Sequence, residues 1–501
     1  MGQLVWLKTK TLPSPQQVIR VDSQTVDAPP QAGAGHQPAA TLKRNALGVL
    51  GILFFVLSAQ APLTGIAGAV PIAVAVGNGA GAPAAYALAG AVILLFSVGF
   101  VAMGRHVVNA GAFYTYIGKG LGRTTGSGSA AVALFAYCAV QAAMYGLYGF
   151  TVSGLVEHYC GVHLAWWVWA LVTMAVVQVL GAAGIELGAK VLAVFVLTEF
   201  SILLAFALVT FVKGGGPEGL DFGGTFSPGA VLQGAPGVAL MFAVASMFGF
   251  EATAIYGEEA REPRKTVPRA TYLSVAVVTG FFAFVSWMLV SSYGPSKVTA
   301  AAGHALAGGD STVFVFAPIA DQFGGWVNDV LPILLATSLF AGILAFHNSA
   351  NRYLFSLSRE GLLPGRLRTL NHRHAPWVAG LAQTAIAALL VLPFAVTGKD
   401  PVLTLFSWFS GIGVLACMLL YFLTSVSVIV FFRRERLDTR PWNTLIAPAL
   451  GALGIAAMIW VILANFTTLI GGATTTAVWL VLAVPAVLLL GAGTARLVHG
   501  R

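Results

Sequence analysis

The chain has 501 residues, of which 57% are hydrophobic and only 9% charged, and its formal net charge is +9. A mean hydropathy of +0.84 excludes a soluble globular domain and marks a polytopic membrane protein. The three cysteines, Cys138, Cys160 and Cys417, supply neither a disulfide framework nor a thiolate metal site, so no metal and no other cofactor is expected.

Residues 1–45 carry Lys8, Lys10 and the prolines 13, 15, 29, 30 and 38 without apolar periodicity, as suits a disordered cytoplasmic tail. The stretch LVWL at 4–7 is too short for a signal-peptide core. From Ala46 onward, twelve apolar stretches are long enough to cross about 30 Å of hydrocarbon at ~1.5 Å per helical residue. They run over 46–76, 85–104, 128–156, 163–183, 188–212, 234–257, 270–292, 326–350, 378–397, 402–432, 444–464 and 474–495.

Twelve crossings put both termini on one side, and the basic residues choose it. With the tail and every second loop cytoplasmic, only Lys213, Lys297 and Lys399 of the 27 Lys and Arg fall outside. The opposite loops carry Glu157, Glu218, Asp221, Asp310, Asp321, Asp329 and Asp400. The positive-inside rule therefore predicts a multi-pass protein of the cell inner (plasma) membrane with both termini cytoplasmic. The net charge reports orientation in a lipid bilayer; no basic and aromatic interleaving suggests nucleic acid.

Two stretches interrupt their own helices. The first span contains SAQAPLTGIAGAVP, with Pro62, Gly65, Gly68 and Pro71 at mid-depth; the sixth contains SMFGFEAT, where Gly249 precedes Glu251. A broken membrane helix must satisfy its freed backbone groups elsewhere, which is tolerated where the backbone is buried or lines a cavity. Matched breaks in two five-helix halves point to the site of an inverted-repeat transporter, with spans 1–5 and 6–10 as the repeats. Freed N–H groups at one half-helix N-terminus attract an anion, and carbonyls at the other half-helix C-terminus attract an ammonium or a cation.

These stretches, with three others, carry a family likeness. GFEATAIYGEEAREPRKTVPRA at 249–270, RHVVNAGAFYTYIGKGLG at 105–122, NRYLFSLSREGLLP at 351–364 and the N-x-x-x-x-P of Asn371–Pro376 lie in the expected order. The chain resembles the amino acid–polyamine–organocation (APC) superfamily, specifically its bacterial amino acid permeases. The resemblance implies an all-α, LeuT-like fold of 12 transmembrane helices. Helices 1 and 6 are discontinuous, 46–212 and 213–432 form two inverted five-helix repeats, and 433–501 adds two C-terminal helices. Two positions depart from the family pattern: Leu63-Thr64-Gly65-Ile66 replaces Gly-Ser-Gly-Ile, and Ala245 stands where many relatives place an aromatic gate, so that either Met247 or Phe248 takes that role or the pocket is wider.

The substrate-binding residues expected on this basis are Thr64, Gly65, Ile66, Ala67 and Gly68 of the first break and Phe248, Gly249, Phe250 and Glu251 of the sixth span. Tyr137 and Gln141 join them from one face of the third span. Glu251 has two readings, as a carboxylate for a substrate ammonium or coupling proton, or as a structural acceptor for its own helix break. Coupling-ion candidates are the hydroxyls of Thr337 and Ser338, at the level where sodium-coupled relatives bind a cation. Glu186 or Lys190 stands near the position where proton-coupled relatives carry a lysine, and Glu199 lies deeper in the fifth span. The charged run from Glu258 to Arg269 either solvates a cytoplasmic loop or pairs with Arg105 or Arg352 as an inner gate. The absence of an H-E-x-x-H helix, a G-x-S-x-G turn or a paired acidic metal motif argues against an enzyme, and no catalytic residue is expected.

The function implied is secondary transport of a small amino acid or related amine by alternating access, as proton-coupled import. An amino acid/polyamine exchanger, a Na⁺-coupled symporter and a non-transporting nutrient sensor are the alternatives. Neither the substrate's side chain nor the oligomeric state is encoded in any of these motifs.

Overall fold

A computed structural model describes residues 47–107, 112–471 and 474–499, with the backbone alone described at 112, 185–192, 195, 403 and 494–499. The expected tail over 1–45 lies outside the described residues. Helix is the only extended regular structure among them. Among the described residues, ten segments are long and apolar enough to cross a membrane. Two places account for the difference from the twelve apolar stretches. The first two stretches fall in one 56-residue segment, Val49–Gly104, bent where Gly77 leaves helical geometry at ψ −121°, and in the fifth span the described apolar helix Val196–Val212 is too short to be among the ten.

The main helices are α1 (Val49–Ala59), α2 (Ala82–Gly104), α3 (Ala112–Leu121), α4 (Arg123–Cys160), α5 (Trp166–Ala183) and α6 (Ile185–Val212). They continue with α7 (Pro236–Met247), α8 (Pro263–Tyr293), α9 (Val327–Arg359), α10 (Trp377–Val396), α11 (Ser407–Glu435), α12 (Ala447–Ala464) and α13 (Thr474–His499). Helix α9 runs nine residues past the expected boundary at 350 because NRYLFSLSR holds no breaker before Gly361, whose φ is +79°. Arg352 and Arg359 therefore stand on a helix and not in a loop.

Apolar residues on every face of these helices mean that burial is decided by neighbours. The 18-residue apolar window is 78% buried in α4 and 89% in Pro236–Glu258, against 11% in α13. Helix α4 is thus a central post, whereas Val179, Leu389, Trp460, Trp479 and Leu489 are exposed on outer faces, where lipid tails would solvate them. The 38 residues of α4 span about 57 Å at 1.5 Å each. At its Cys160 end, Glu157 lines a cavity of about 900 Å³ together with Asp310, Asp321, Asp329 and Asp400. Near its Arg123 end, the Arg434 guanidinium at the close of α11 donates to the Gly120 carbonyl. Acidic loop residues thus gather at one end of α4, and Arg434 stands near the other.

Candidate functional site

Helix α1 stops at Ala59, Gln60 caps it, and Ala61 takes a left-handed φ of +42° before a π-helical turn over Thr64–Ala69. The first N–H groups of any new helix lack intrahelical partners. Here Pro62 has none to satisfy, and the Leu63 N–H donates to Glu199 Oε2 at 3.2 Å. The Thr64 N–H and hydroxyl donate to Ser338 Oγ at 3.2 and 3.3 Å, and the Gly65 N–H returns to the Ala61 carbonyl at 2.9 Å. Two polar side chains, from α6 and α9, therefore cap a half-helix buried inside the protein. Glu199 itself is fully buried, the Ser338 hydroxyl neighbours its carboxyl, and its Oε1 has no partner.

The second interruption follows Met247. Phe248 is extended, Gly249 has φ +110°, and helix resumes at Ala252–Ile255. Glycine is required at 249 twice over, because a side chain disfavours that φ and an added Cβ would lie 2.7 Å from the Ala59 Cβ. The fully buried Glu251 secures this turn. Its Oε2 accepts from the Gly249 N–H at 3.0 Å and from the Tyr421 hydroxyl of α11 at 2.9 Å, and its Oε1 accepts from the Tyr137 hydroxyl of α4 at 3.2 Å. Three donors from the protein itself satisfy the carboxylate.

The two interruptions meet. The Gln60 amide donates to the Met247 carbonyl at 3.2 Å, tying one helix end to the other. Between them lies a cavity of about 60 Å³. Its polar lining is Gln60, Thr64, Ser246 and Ser410, and its apolar walls include Val140, Met144, Phe242, Phe346 and Phe406; no charged side chain lines it. At ~10–15 Å³ per water on this measure, the space holds on the order of five waters, comparable to the heavy atoms of a small amino acid.

Of the residues singled out in the sequence, Thr64 and Gly65 line this cavity, while Ile66, Ala67 and Gly68 are buried behind it. A Cβ on Gly65 would meet the Phe282 ring at 2.4 Å, so the backbone approaches α8 as only glycine allows. Phe248 packs on Tyr137 and Phe346, and Phe250 packs on Phe96, Phe100 and Tyr421. Gln141 donates to the Ile343 carbonyl at 3.3 Å and accepts from Gln383. The Thr337 hydroxyl turns back to the Leu334 carbonyl at 2.8 Å, so Ser338 alone of the pair reaches the first break. The side chains of Glu186 and Lys190 lie outside the described residues. Ala245 lines the cavity, and its aromatic walls come from Phe242, Phe346 and Phe406, not from Met247 or Phe248.

Sequence reasoning missed Gln60, Ser246, Ser410 and Tyr421. Gln60 was within reach, being the only amide side chain in the first break, but nothing local marks Tyr421 as the partner of a carboxylate 170 residues away.

Below the second interruption two ion pairs join the following loop to α9. Arg352 Nε donates to Glu259 Oε1 at 2.5 Å, with side chains only 5% and 2% exposed, and its guanidinium lies 4.9 Å from the Tyr256 ring centroid. Arg359 bonds Glu258 through both terminal nitrogens, at 2.5 and 3.0 Å, in a half-buried setting. Of the two arginines expected opposite this loop, Arg352 is engaged by Glu259. The loop also pairs with the chain before α1, with the Leu47 N–H donating to the Glu259 carbonyl and the Arg261 N–H to the Leu47 carbonyl.

A bundle of bilayer-length apolar helices, crossed by two interrupted segments around a shared pocket, is that of a multi-pass integral membrane protein. The chain belongs to the amino acid permease family, whose model matches residues 51–494. Over 135 residues it is 29% identical to the large neutral amino acids transporter small subunit 2 of Homo sapiens, covering 27% of this chain and 23% of that protein. Over 166 residues it is 30% identical to the branched-chain amino acid permease BcaP of Lactococcus lactis, covering 32% of each. An uncharacterized transporter of Mycobacterium tuberculosis is 27% identical over 236 residues, 45% of this chain and 49% of that one. The chain thus matches less than half the length of each of these relatives. All are named as transporters or permeases, not enzymes.

Proposed function

We propose that this permease imports a neutral amino acid with a small or medium apolar side chain by alternating access, coupled to protons. The observation that carries the reading is the uncharged cavity between the two helix interruptions. Glu251 already holds three donors, so its carboxylate is not free for a cationic side chain or a polyamine. The C-terminal ends of α1 and α7 present partial negative charge to an α-ammonium group, the half-helix beginning at Leu63 presents partial positive charge to an α-carboxylate, and the apolar walls receive the side chain. The names of the human and Lactococcus relatives agree with a neutral or branched-chain substrate. In this reading the chain crosses the inner membrane twelve times with both termini cytoplasmic. Residues 46–212 and 213–432 form inverted repeats, helices 1 and 6 are discontinuous, and 433–501 is an appendage.

Glu199 supplies the coupling. Its carboxyl occupies the half-helix end to which the substrate carboxylate is drawn. Two carboxylates at one helix terminus repel each other, so substrate binding favours protonation of Glu199 and protonation favours substrate. The test is uptake of leucine, valine, alanine, lysine and putrescine by proteoliposomes at pH 5.5 and 7.5, with Na⁺ or choline. Leucine, valine or alanine uptake that rises at the lower pH and is indifferent to Na⁺ is expected, with Glu199→Gln removing the pH dependence while substrate binding persists. Uptake of lysine or putrescine alone, or an unchanged pH profile in Glu199→Gln, refutes the reading.

A further inference from the structure

Away from both cavities already described, a third concavity of about 400 Å³ opens on the face that carries Arg105, Arg264 and Arg440. It is lined by Arg105, His106, Arg264, Leu437, Asp438 and Arg440. The three arginines come from three separate places in the chain: the C-cap of α2, the first turn of α8 and the segment after α11. Like charges are brought together here at a cost that some opposite charge must offset.

The only carboxylate in the lining is already engaged. Asp438 Oδ1 accepts from the backbone N–H and Nε of Arg440, each at 3.0 Å, and Oδ2 accepts from its Nη2 at 2.7 Å. These bonds hold the Asp438 carboxyl down at about 2, so it stays ionised and fixes the Arg440 fork without reaching across the pocket. Arg105 and Arg264 are both exposed, and neither side chain has an ion-pair or hydrogen-bond partner among the described residues. Arg264 moreover sits in the first turn of a 31-residue helix, where the helix dipole already favours an anion and disfavours a cation. The Glu262 N-cap makes no side-chain capping bond there. The lining carries three arginines against one carboxylate, for a net charge of +2 with His106 neutral.

We infer that this pocket binds a phosphate group, with Arg105 and Arg264 as its primary donors and Arg440, steadied by Asp438, as the third. The planar guanidinium fork matches phosphate oxygens, and arginines converging from three segments form the basic pocket between helix ends that suits an anionic headgroup. Exposed Leu437 in the lining and Trp442 two residues beyond Arg440 are side chains suited to the bilayer interface, which favours a phospholipid over a free anion as the source. A bound phosphate would tie the ends of α2 and α8 to the segment after α11, and so stiffen three elements that share no ion pair with one another there among the described residues.

The test is thermal unfolding of the full-length protein in neutral detergent. Short-chain phosphatidylglycerol, phosphatidylcholine and inorganic phosphate are titrated separately into wild type, Arg105→Gln/Arg264→Gln and Arg366→Gln/Arg368→Gln. The last variant removes the same charge from exposed positions elsewhere. Phosphatidylglycerol is expected to stabilise wild type and the control, and to bind the pocket variant at least about tenfold more weakly. If inorganic phosphate produces the same pocket-dependent shift, the site takes phosphate from solution; if it does not, the lipid is the source. No shift with either phosphate compound, an equal shift with phosphatidylcholine, or equal loss in both variants overturns the inference. Because both pocket arginines are exposed and have no ion-pair or hydrogen-bond partner among the described residues, their replacement removes no contact that holds the fold. The readout is binding, so the outcome is independent of the transported substrate.

Discussion

Replacing Arg352 with glutamine isolates the energetics of the loop below the second interruption. Both charges are almost fully buried, and Arg352 also donates from Nη1 to the Asn348 carbonyl at 3.1 Å and faces the Tyr256 ring. Removing one partner of such a pair leaves an uncompensated charge and costs about 3–5 kcal/mol, while the lost ring contact adds roughly 0.5–2 kcal/mol. Arg352→Gln is thus expected to destabilise by about 4 kcal/mol, and Glu259→Gln by about 3 kcal/mol. The double variant removes both charges at once, so it should fall short of the sum by at least about 2 kcal/mol, a coupling of the size seen for contacting partners. Denaturant unfolding in detergent micelles, arranged as a double-mutant cycle, measures this directly. The half-buried pair Glu258–Arg359 serves as comparison and should couple by no more than about 1 kcal/mol. Costs below about 1 kcal/mol for both Arg352 singles and Glu259 singles, or simple additivity, would refute a desolvated pair.

Three further expectations concern the breaks. Gly249→Ala should cost at least about 2 kcal/mol from strained φ and the clash with Ala59, and adding Ala59→Gly should recover only the steric share, measured by the same unfolding assay. Glu251→Ala should be worse than Glu251→Gln by about 2 kcal/mol or more, because alanine leaves two buried tyrosine hydroxyls and the Gly249 N–H without an acceptor. Equal stabilities of those two variants would show that Glu251 is not the keystone of the turn. Ser338→Ala should cost about 1–3 kcal/mol by orphaning the Thr64 N–H, whereas Thr337→Val should stay within about 0.5 kcal/mol; a reversed order in melting temperature contradicts the capping role.

The location of both interruptions was legible because proline and glycine act on their own backbone. Pro62 removes a donor wherever it stands, and Gly249 permits a φ that other residues resist. What the freed groups then bond to was not legible. Glu199 stood out as a deep acid in FVLTEFSI, but its partner, the Leu63 N–H, lies 136 residues earlier. Thr337 and Ser338 looked equivalent in sequence; their roles differ because adjacent residues on a helix project about 100° apart, one back to its own turn and the other to the first break.

From sequence alone follow the membrane setting, the segregation of basic and acidic loops, the family motifs and the two backbone interruptions, all of which depend on local composition or on charges that lipid cannot host. Tertiary structure alone decided that the interruptions share one uncharged cavity, that Glu251 is held by Tyr137 and Tyr421, and that Ser338 caps a helix 274 residues away. The reason is physical. Spans that are apolar on every face carry little periodic signal of how each is rotated about its own axis, so the inward-facing polar groups are chosen by packing against neighbours.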